Sequence, residues 1–393
     1  MAGPLQGVNV VELAVWVAGP SVAGVLADWG AQVIKIESPD GDPSRAWTSD
    51  KNPAFELDNR GKRSVTLDLK TAAGLQIAHE LISSADVLVT NVRMRALESL
   101  GLDYAALADR YPRLVYASIS GYGLEGPDRD RAAFDAGAFW SRTGAFASMT
   151  VPGAGLPAPP GGSGDHVTAI SAVAGVTAAL VARQATGRGQ HVTTSLLRAG
   201  AFMLGFDVNM ALRRGARVVP PVRTHVPNPL YNSYRVKDDR WLFLLGLQPD
   251  RHWLPVVRAV GLWGLVDDER FTTAEARGRN CADLIQLLDV AFATRSLADW
   301  TPLLDAEGVV WAPVQTAFDL LSDPQAEASG AFVDVPVAEG TARMVASSVD
   351  FLGTPWAVDR RTPEAGEHTE EVLLELGHDW DSIGELRSQG AFG

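Results

Sequence analysis

The sequence predicts an α/β fold in which a parallel sheet is covered by helices on both faces. Short runs rich in β-branched residues alternate with stretches of helical spacing in the first part of the chain, a pattern typical of a parallel sheet with crossover helices. The length of 393 residues is enough for two domains. The chain changes character beyond residue 200, which predicts a separate, smaller α/β unit.

The individual elements follow from the spacing of the apolar residues. The predicted strands of the first part are 8–13, 32–37, 64–69, 86–90 and 114–119, and its predicted helices are 21–28, 71–83 and a buried one over 167–181. The predicted elements of the smaller unit are a hairpin over 231–247 and helices over 252–260, 282–292 and 297–305. From residue 323 we expect short strands and turns, followed by helices over 367–376 and 381–387.

Composition and charge argue against several classes of protein. The net charge of −13 argues against nucleic acid as a partner. The apolar runs are interrupted well before 18 positions, so we expect no membrane span, and the N-terminus lacks the features of a signal peptide. Cys281 is the single cysteine and the seven histidines are scattered, so neither a disulfide nor a metal site is expected. These features favour a cytoplasmic protein.

The ends of the predicted strands indicate where a ligand would bind. Ligands of an open parallel sheet bind beyond the carboxyl ends of its strands. We therefore expect four loops to converge on one crevice, namely 14–18, 69–70, 91–95 and 121–123. The first of these loops has no G-x-G-x-x-G pattern, and Pro20 has no N–H to offer a pyrophosphate. A nicotinamide cofactor is therefore not expected.

Two basic clusters stand out in this acidic chain. One is the segment 59–64, and the other is Arg93 with Arg95 after the fourth predicted strand. Arginine and lysine on loops at strand ends suit phosphate groups, so Arg93 is predicted to bind the ligand. The alternative is that these side chains are solvated charges or form ion pairs with the surplus acids.

Asp165 is the most informative residue of the chain. It follows a glycine-rich stretch, 159–164, and precedes the long apolar segment 167–181. On local sequence alone, an aspartate at this place is most often a helix N-cap. A carboxylate held at a helix start by a loop that permits close approach can also serve as a nucleophile.

Together these motifs resemble one family, the class III coenzyme A transferases, which include formyl-CoA, carnitine-CoA and bile-acid CoA transferases. The matching segments follow one another in the expected order and span nearly the whole chain. They are 13–20, 26–37, 59–70, 85–91, 118–123, 126–127, 164–165, 186–190 and 366–369.

The resemblance implies a Rossmann-like large domain, built from both chain ends, and a smaller inserted α/β domain. The domain boundaries predicted on this basis are 1–200 for the first part of the CoA-binding domain, 201–228 for a linker, 229–322 for the small domain, and 323–393 for the return linker and the rest of the large domain. The resemblance also implies a homodimer in which two chains are threaded through each other as interlocked rings.

The resemblance gives Asp165 the role of the nucleophile. Its carboxylate would form first an aspartyl-acyl anhydride and then an aspartyl-CoA thioester, before CoA leaves on a carboxylic acid acceptor. CoA and acyl-CoA would be substrates, with no permanently bound cofactor. Positions that match the CoA contacts of relatives are Val15, Val17 and Ala18 in the cradling loop, and Leu67, Leu69, Lys70 and Asn91 near the adenosine and diphosphate.

Departures from the family pattern bear on the substrate and on rival functions. Val15 and Val17 replace a histidine and a glutamine of formyl-CoA transferase, which favours a larger, less polar acyl group than formyl or oxalyl. An α-methylacyl-CoA racemase of the same superfamily is one alternative, but it needs a second base, and Phe134 occupies the position of its histidine. A non-catalytic CoA binder is the other alternative, and it would have no use for the carboxylate of Asp165.

Overall fold

The computed structural model describes residues 3–47, 52–215 and 218–393. The chain divides into two compact units. The first contains the described residues up to 148, together with 156–218 and 330–393, and the second contains 149–155 and 219–329. The boundaries predicted at 200, 228 and 322, and the interlocked pairing of two chains, stay predictions.

A six-stranded parallel sheet forms the centre of the first unit, and it confirms the predicted α/β fold. The strands are β1 (Asn9–Leu13), β2 (Gln32–Glu37), β3 (Arg63–Thr66), β4 (Val87–Thr90), β5 (Val115–Ser120) and β6 (His191–Ser195). Their order is β3-β2-β1-β4-β5-β6, so the chain leaves β1 in one direction along the sheet and later continues from it in the other. This reversal between β1 and β4 is the switch point at which doubly wound sheets bind ligands.

Helices connect the strands of the sheet, and two more follow its last strand. Those of the first part are α1 (Ala18–Asp28), α2 (Pro53–Asn59), α3 (Ala72–Ser83), α4 (Met94–Leu100), α5 (Tyr104–Ala108), α6 (Ala145–Met149), α7 (Ser163–Thr186), α8 (Leu196–Met203) and α9 (Gly205–Arg214), with a π-helix over Ala136–Ser141. Helix α9 lies entirely within 201–228, the segment that the sequence predicts as a linker.

Helix α7 differs from its prediction in length and burial. It has 24 residues, and only a third of its most apolar 18-residue window is buried, with Val167, Ile170 and Val181 exposed. The prediction of a buried helix is therefore wrong for the part of its surface that carries these three residues. By length and mean hydropathy the helix could cross a membrane, although the sequence has no uninterrupted apolar run of that length. Such a helix is weak grounds for a span, because core helices of globular proteins pass the same test.

The last part of the chain completes the edge of the sheet at β3. Two further helices, α16 (Thr369–Glu375) and α17 (Trp380–Ser388), follow a hairpin of β10 (Phe332–Pro336) and β11 (Thr341–Val345). The amide of His368 donates to the Ser64 carbonyl at 2.9 Å, and the amide of Thr66 donates to Thr369 Oγ1 at 3.1 Å. Residues some 300 positions apart thus form one edge of the sheet.

The second unit has its own sheet and hydrophobic core. Strands β7 (Tyr231–Arg235), β8 (Trp241–Leu245) and β9 (Trp311–Val314) form an antiparallel sheet, and the first two are the predicted hairpin. Its helices are α10 (Pro249–Val260), α11 (Ala274–Arg279), α12 (Cys281–Phe292), α13 (Leu297–Ala306), α14 (Ala317–Leu320) and α15 (Pro324–Ala328). The core contains the fully buried Trp300, Phe271 and Phe292.

Candidate active site

A cavity of about 470 Å³ opens at the carboxyl ends of β1, β4 and β5. Its walls are the loops after these strands, the segment 129–134, Asp165 and Leu196. Three of the four predicted loop ends therefore converge as expected, because they belong to adjacent strands at the switch point. The fourth, 69–70, is not part of the lining, because β3 lies at the edge of the sheet.

The loop after β1 is held in an unusual backbone conformation. Trp16 has a φ of 67°, which is uncommon for a bulky residue and is found where surrounding contacts enforce it. The Trp16 amide donates to Asp42 Oδ1 at 3.2 Å, and Asn91 makes two hydrogen bonds to the peptide groups of Val15. The Trp16 ring lies between Trp47 and Phe134, each 5.7 Å away between centroids.

Buried charges lie directly beneath this loop. Lys35 Nζ is 2.7 Å from Glu12 Oε1 and 2.9 Å from Asp42 Oδ2, and it donates to the Ala14 carbonyl at 2.9 Å. Lys62 Nζ is 2.6 Å from the second oxygen of Glu12. The Lys35 and Glu12 side chains are completely buried. Since Asp42 also accepts from the Trp16 amide, this ion cluster fixes the loop from below.

Two basic residues of the segment 59–64, Arg60 and Lys62, have a structural role. Arg60 forms a bidentate pair with Asp28, with Nη2 to Oδ2 at 2.7 Å, and is 1% exposed. Lys62 is fully buried against Glu12. The alternative of ion pairs with the surplus acids is therefore correct for both residues, and neither is available to a phosphate group.

Asp165 lies in the first turn of α7 and faces the cavity. The helix begins at Ser163, and its N-cap is Gly162 in the left-handed conformation, so the interpretation of Asp165 as the cap is wrong. The positive end of the helix dipole favours a negative charge here. Burial nevertheless raises the pKa of Asp165 to about 7, helped by the repulsion of Asp135 and opposed by His166. A carboxyl group that gains its charge near neutral pH is typical of functional sites.

Asp135 is packed against the start of α7. It precedes the π-helix, a rare element that is often found at functional sites. A side chain at Gly164 would overlap Asp135 Oδ1 and would lie 2.5 Å from Phe139 Cγ, so this position has room only for glycine. Burial raises the pKa of Asp135, although the Gly164 amide and the Trp140 indole favour its charged form.

His166 turns from the cavity toward α2. Its Nε2 lies 3.1 Å from Oδ1 of Asp58, which also accepts from Ser21 Oγ at 2.7 Å. Asp58 is 5% exposed, whereas the His166 side chain is 40% exposed. The hydrogen bond to Asp58 raises the pKa of His166. As expected for a residue adjacent to Asp165 on a helix, His166 points elsewhere.

The predicted CoA-binding positions fall into two groups. Val15, Val17, Ala18, Asn91 and Arg93 line the cavity. Leu67 is buried in the core behind β3, Leu69 is half-buried against the same core, and Lys70 is exposed. The CoA contacts of these three residues stay a prediction, and none of the three lines the cavity.

Sequence reasoning gave no role to three residues at or beside the cavity, namely Asp135, Arg129 and Arg131. Trp16 lies in the loop that the sequence singles out, but its φ cannot be read from a pattern. Asp135 follows Phe134 directly, and its effect on Asp165 depends on a contact between distant segments. Arg129 and Arg131 lie in a loop after Gly126, where Arg129 pairs with Glu98 of α4 and Arg131 pairs with Asp128. Among the described residues, no group of three or more His, Cys, Asp or Glu is placed to hold a metal ion.

Comparison with known proteins places this geometry in a context. The sequence profile described as CoA-transferase family III matches residues 5–369. The chain is 33% identical to (R)-2-hydroxy-4-methylpentanoate CoA-transferase of Clostridioides difficile over 98% of each chain. It is 34% identical to cinnamoyl-CoA:phenyllactate CoA-transferase of Clostridium sporogenes, over 97% of this chain and 95% of the relative. The fold is similar to the crystal structure of a CAIB/BAIF family protein from Brucella suis, with a TM-score of 0.86 at 31% identity, covering 96% of this chain and 100% of that one.

Proposed function

Because the chain belongs to CoA-transferase family III and is a class III CoA-transferase, we propose that it carries the transferred group covalently on Asp165. The position of this carboxylate carries the proposal. It faces the cavity at the switch point of the sheet, in the first turn of a helix, with a pKa of about 7. At neutral pH a substantial fraction of the group is therefore charged and able to attack.

The proposed reaction has four steps and no net proton transfer. The Asp165 carboxylate attacks the thioester carbon of the donor, the C–S bond breaks, and an aspartyl-acyl anhydride and CoA thiolate result. The thiolate attacks the aspartyl carbonyl and displaces the donor acid as its carboxylate, which leaves an aspartyl-CoA thioester. The acceptor carboxylate attacks this thioester to give a new anhydride and CoA thiolate. The thiolate then attacks the acceptor acyl carbon and frees the Asp165 carboxylate.

The site supplies what these steps need. The first turn of α7 offers amide groups with a positive dipole to the oxyanion that develops at each attack. Arg93 is exposed at the cavity, has no ion pair among the described residues, and is available to a phosphate of CoA. Val15, Val17 and Ala18 are proposed to pack along the CoA chain. Leu67, Leu69, Lys70 and Asn91 are proposed to lie near its nucleotide end. CoA is proposed to be a substrate and not a resident cofactor.

The cavity favours an apolar acyl group. Trp16 and Phe134 form an aromatic wall, and Val15, Ile119 and Leu196 add aliphatic surface. Two relatives are named for acids with a branched or aromatic side chain, (R)-2-hydroxy-4-methylpentanoate and phenyllactate. We propose donors and acceptors of this apolar class, and expect formyl and oxalyl to react poorly because they bury little surface.

The homodimer and the cytoplasmic location are part of the same proposal. Phe202 and Phe206, on α8 and α9, are 85% and 82% exposed in the single chain, and Leu212 is 75% exposed. A second copy that covers this surface would remove three large apolar side chains from water. Light scattering of the protein, with Phe202→Glu and Phe206→Glu as variants, tests this. A monomeric wild-type protein would contradict it.

The function is tested by a screen of acyl-CoA donors against carboxylic acids, with the new thioester identified by mass. Hydroxylamine added with acyl-CoA should modify Asp165, because it intercepts both covalent intermediates. The Asp165→Ala variant should bind CoA but give no product, whereas Asp267→Ala, at an exposed aspartate of the second unit, should behave as the wild type. Full turnover by Asp165→Ala would disprove the covalent role. Faster turnover of formyl-CoA or oxalyl-CoA than of every bulkier thioester would disprove the apolar preference.

A further inference from the structure

The residue that follows the proposed nucleophile makes a contact that the reaction steps do not use. His166 is in the first turn of α7 beside Asp165, and its Nε2 lies 3.1 Å from Asp58 Oδ1. Asp58 belongs to α2 and is 5% exposed. A second donor, Ser21 Oγ of α1, holds the same oxygen at 2.7 Å. The Asp58 carboxylate is thus fixed by its own helix, α2, and by a hydrogen bond from α1, in addition to its contact with His166.

This arrangement favours a positive charge on His166, the residue next to the nucleophile in the chain. A hydrogen bond between an imidazole and a buried carboxylate favours the imidazolium form. The acidic groups that act on His166 are Asp58 from α2, Asp135 from the segment before the π-helix, and Asp165 on its own helix. Lys62, behind α2, interacts with Asp58 and competes for its charge.

Asp165 needs such a charge because its other neighbours oppose ionisation. Asp135 and Asp58 both raise its pKa, as does burial, while His166 lowers it. The helix dipole and His166 are therefore the favourable influences on a carboxylate that must be charged to attack.

We propose that His166 and Asp58 form a positioning pair, in which the buried Asp58 carboxylate keeps an imidazolium beside Asp165 so that the nucleophile is ionised at neutral pH. This inference rests on the proposed function for its catalytic consequence. Its electrostatic part, the coupling between His166 and Asp165, does not depend on the reaction. The pair acts through Asp165 and need not touch the substrate.

The first test is the pH dependence of turnover for two substitutions at one position. His166→Gln keeps a hydrogen-bonding side chain but removes the charge, and it should move the acidic limb of the kcat profile to higher pH by about one unit. At pH values below the limb, turnover of the variant should be about tenfold lower than that of the wild type. At alkaline pH the two rates should approach each other. His166→Lys restores a cation and should return the limb toward its wild-type position.

The second test uses the sign of the effect of Asp58→Asn. In the His166→Gln background, this substitution only removes a negative charge near Asp165, so the limb should move to lower pH. With His166 present, it also weakens the imidazolium, so the two effects oppose each other and the shift should be smaller or reversed. The same shift in both backgrounds would overturn the proposal, since the pair would then not be coupled.

A third measurement separates the inference from the function. The pKa of His166, followed by NMR of the full-length protein, should fall in Asp165→Asn, because coupling between two sites is reciprocal. An unchanged His166 titration, or a kcat that His166→Gln lowers equally at every pH, would show a merely structural residue and overturn the inference. If the titration is coupled but hydroxylamine leaves Asp165 unmodified, the proposed function fails while the electrostatic pair stands.

Discussion

The side chain of Asn91 brackets the peptide groups of Val15. Its Oδ1 accepts from the Val15 amide at 3.0 Å, and its Nδ2 donates to the Val15 carbonyl at 2.6 Å. The end of β4 thereby fixes the loop that follows β1, across the switch point of the sheet. A carboxamide suits this task because it offers one donor and one acceptor side by side.

Replacing Asn91 by alanine should therefore loosen the CoA loop. Two partly buried hydrogen bonds are lost, which should lower the free energy of unfolding by about 1–3 kcal/mol. The KM for acyl-CoA should rise, because Val15 and Trp16 line the cavity. Steady-state kinetics and urea unfolding measure the two effects. Gln76→Ala, at an exposed glutamine of α3, is the control. An unchanged KM would mean that the loop keeps its shape without the two hydrogen bonds from Asn91.

The buried ion cluster should be sensitive to the loss of one member. Lys35→Met leaves Asp42 buried without its cation and removes one of the two lysines that pair with Glu12, which should cost about 3–5 kcal/mol of stability. Lys237→Met, at an exposed lysine, should change stability by less than about 0.5 kcal/mol. Urea denaturation of the three proteins gives the comparison. Equal midpoints would show that the cluster contributes nothing beyond what methionine packing replaces.

Neutralising Asp165 should stabilise the protein in a defined pH range. The folded-state pKa of about 7 lies above the unfolded value of 3.8, so the folded chain binds more protons between these values. Its free energy of unfolding therefore falls as pH rises through this window. Asp165→Asn should be more stable than the wild type by roughly 1–3 kcal/mol at about pH 8, and equally stable near pH 4. Thermal melting at both pH values tests this, and a difference independent of pH would contradict it.

Two neighbouring glycines should respond differently to alanine. At Gly164 a methyl group would overlap Asp135 and crowd Phe139, so Gly164→Ala should cost about 1–3 kcal/mol and most of the activity. At Gly161 the added methyl group meets nothing within 4 Å, and the variant should resemble the wild type. Melting temperatures and turnover measured side by side give the answer. A tolerated Gly164→Ala would mean that the segment of Asp135 can move away from α7.

Isomerase activity should be absent. A racemase needs a base on each face of the α-carbon, and Phe134, which is 63% exposed at the cavity, cannot serve as one. His166 is directed to Asp58. A 2-methylacyl-CoA incubated in deuterated water without an acceptor acid should therefore keep its α-proton. Rapid exchange would favour the racemase alternative, and buffer without protein is the control.

Local patterns predicted the sheet well and failed where distant residues decide. β1, β2, β4 and β5 were predicted because each is an apolar run between turn signals, and β3 was predicted over 64–69 but ends at Thr66. β6 was missed because His191–Ser195 is short and mostly polar, and its strand conformation comes from pairing with β5.

The site shows the same division. Three of the four loops predicted from strand ends meet at the cavity, whereas 69–70 does not, because the sequence does not show that β3 lies at the edge of the sheet. Arg60 and Lys62 looked like ligands because the sequence cannot show that Asp28 and Glu12 lie behind them. The N-cap of α7 was misplaced by three residues, at Asp165, because Gly162 caps the helix without a side-chain signal.

The closure of β3 by residues 366–369 has a consequence for synthesis of the chain. On the ribosome, some 300 residues must follow Thr66 before Thr369 emerges. At 5–20 residues per second this takes roughly 15–60 s, during which the nascent sheet has an uncovered edge strand. A message truncated shortly before this point would thus yield a product prone to pair with other unfinished chains, and newly made protein should depend on chaperones for about that interval.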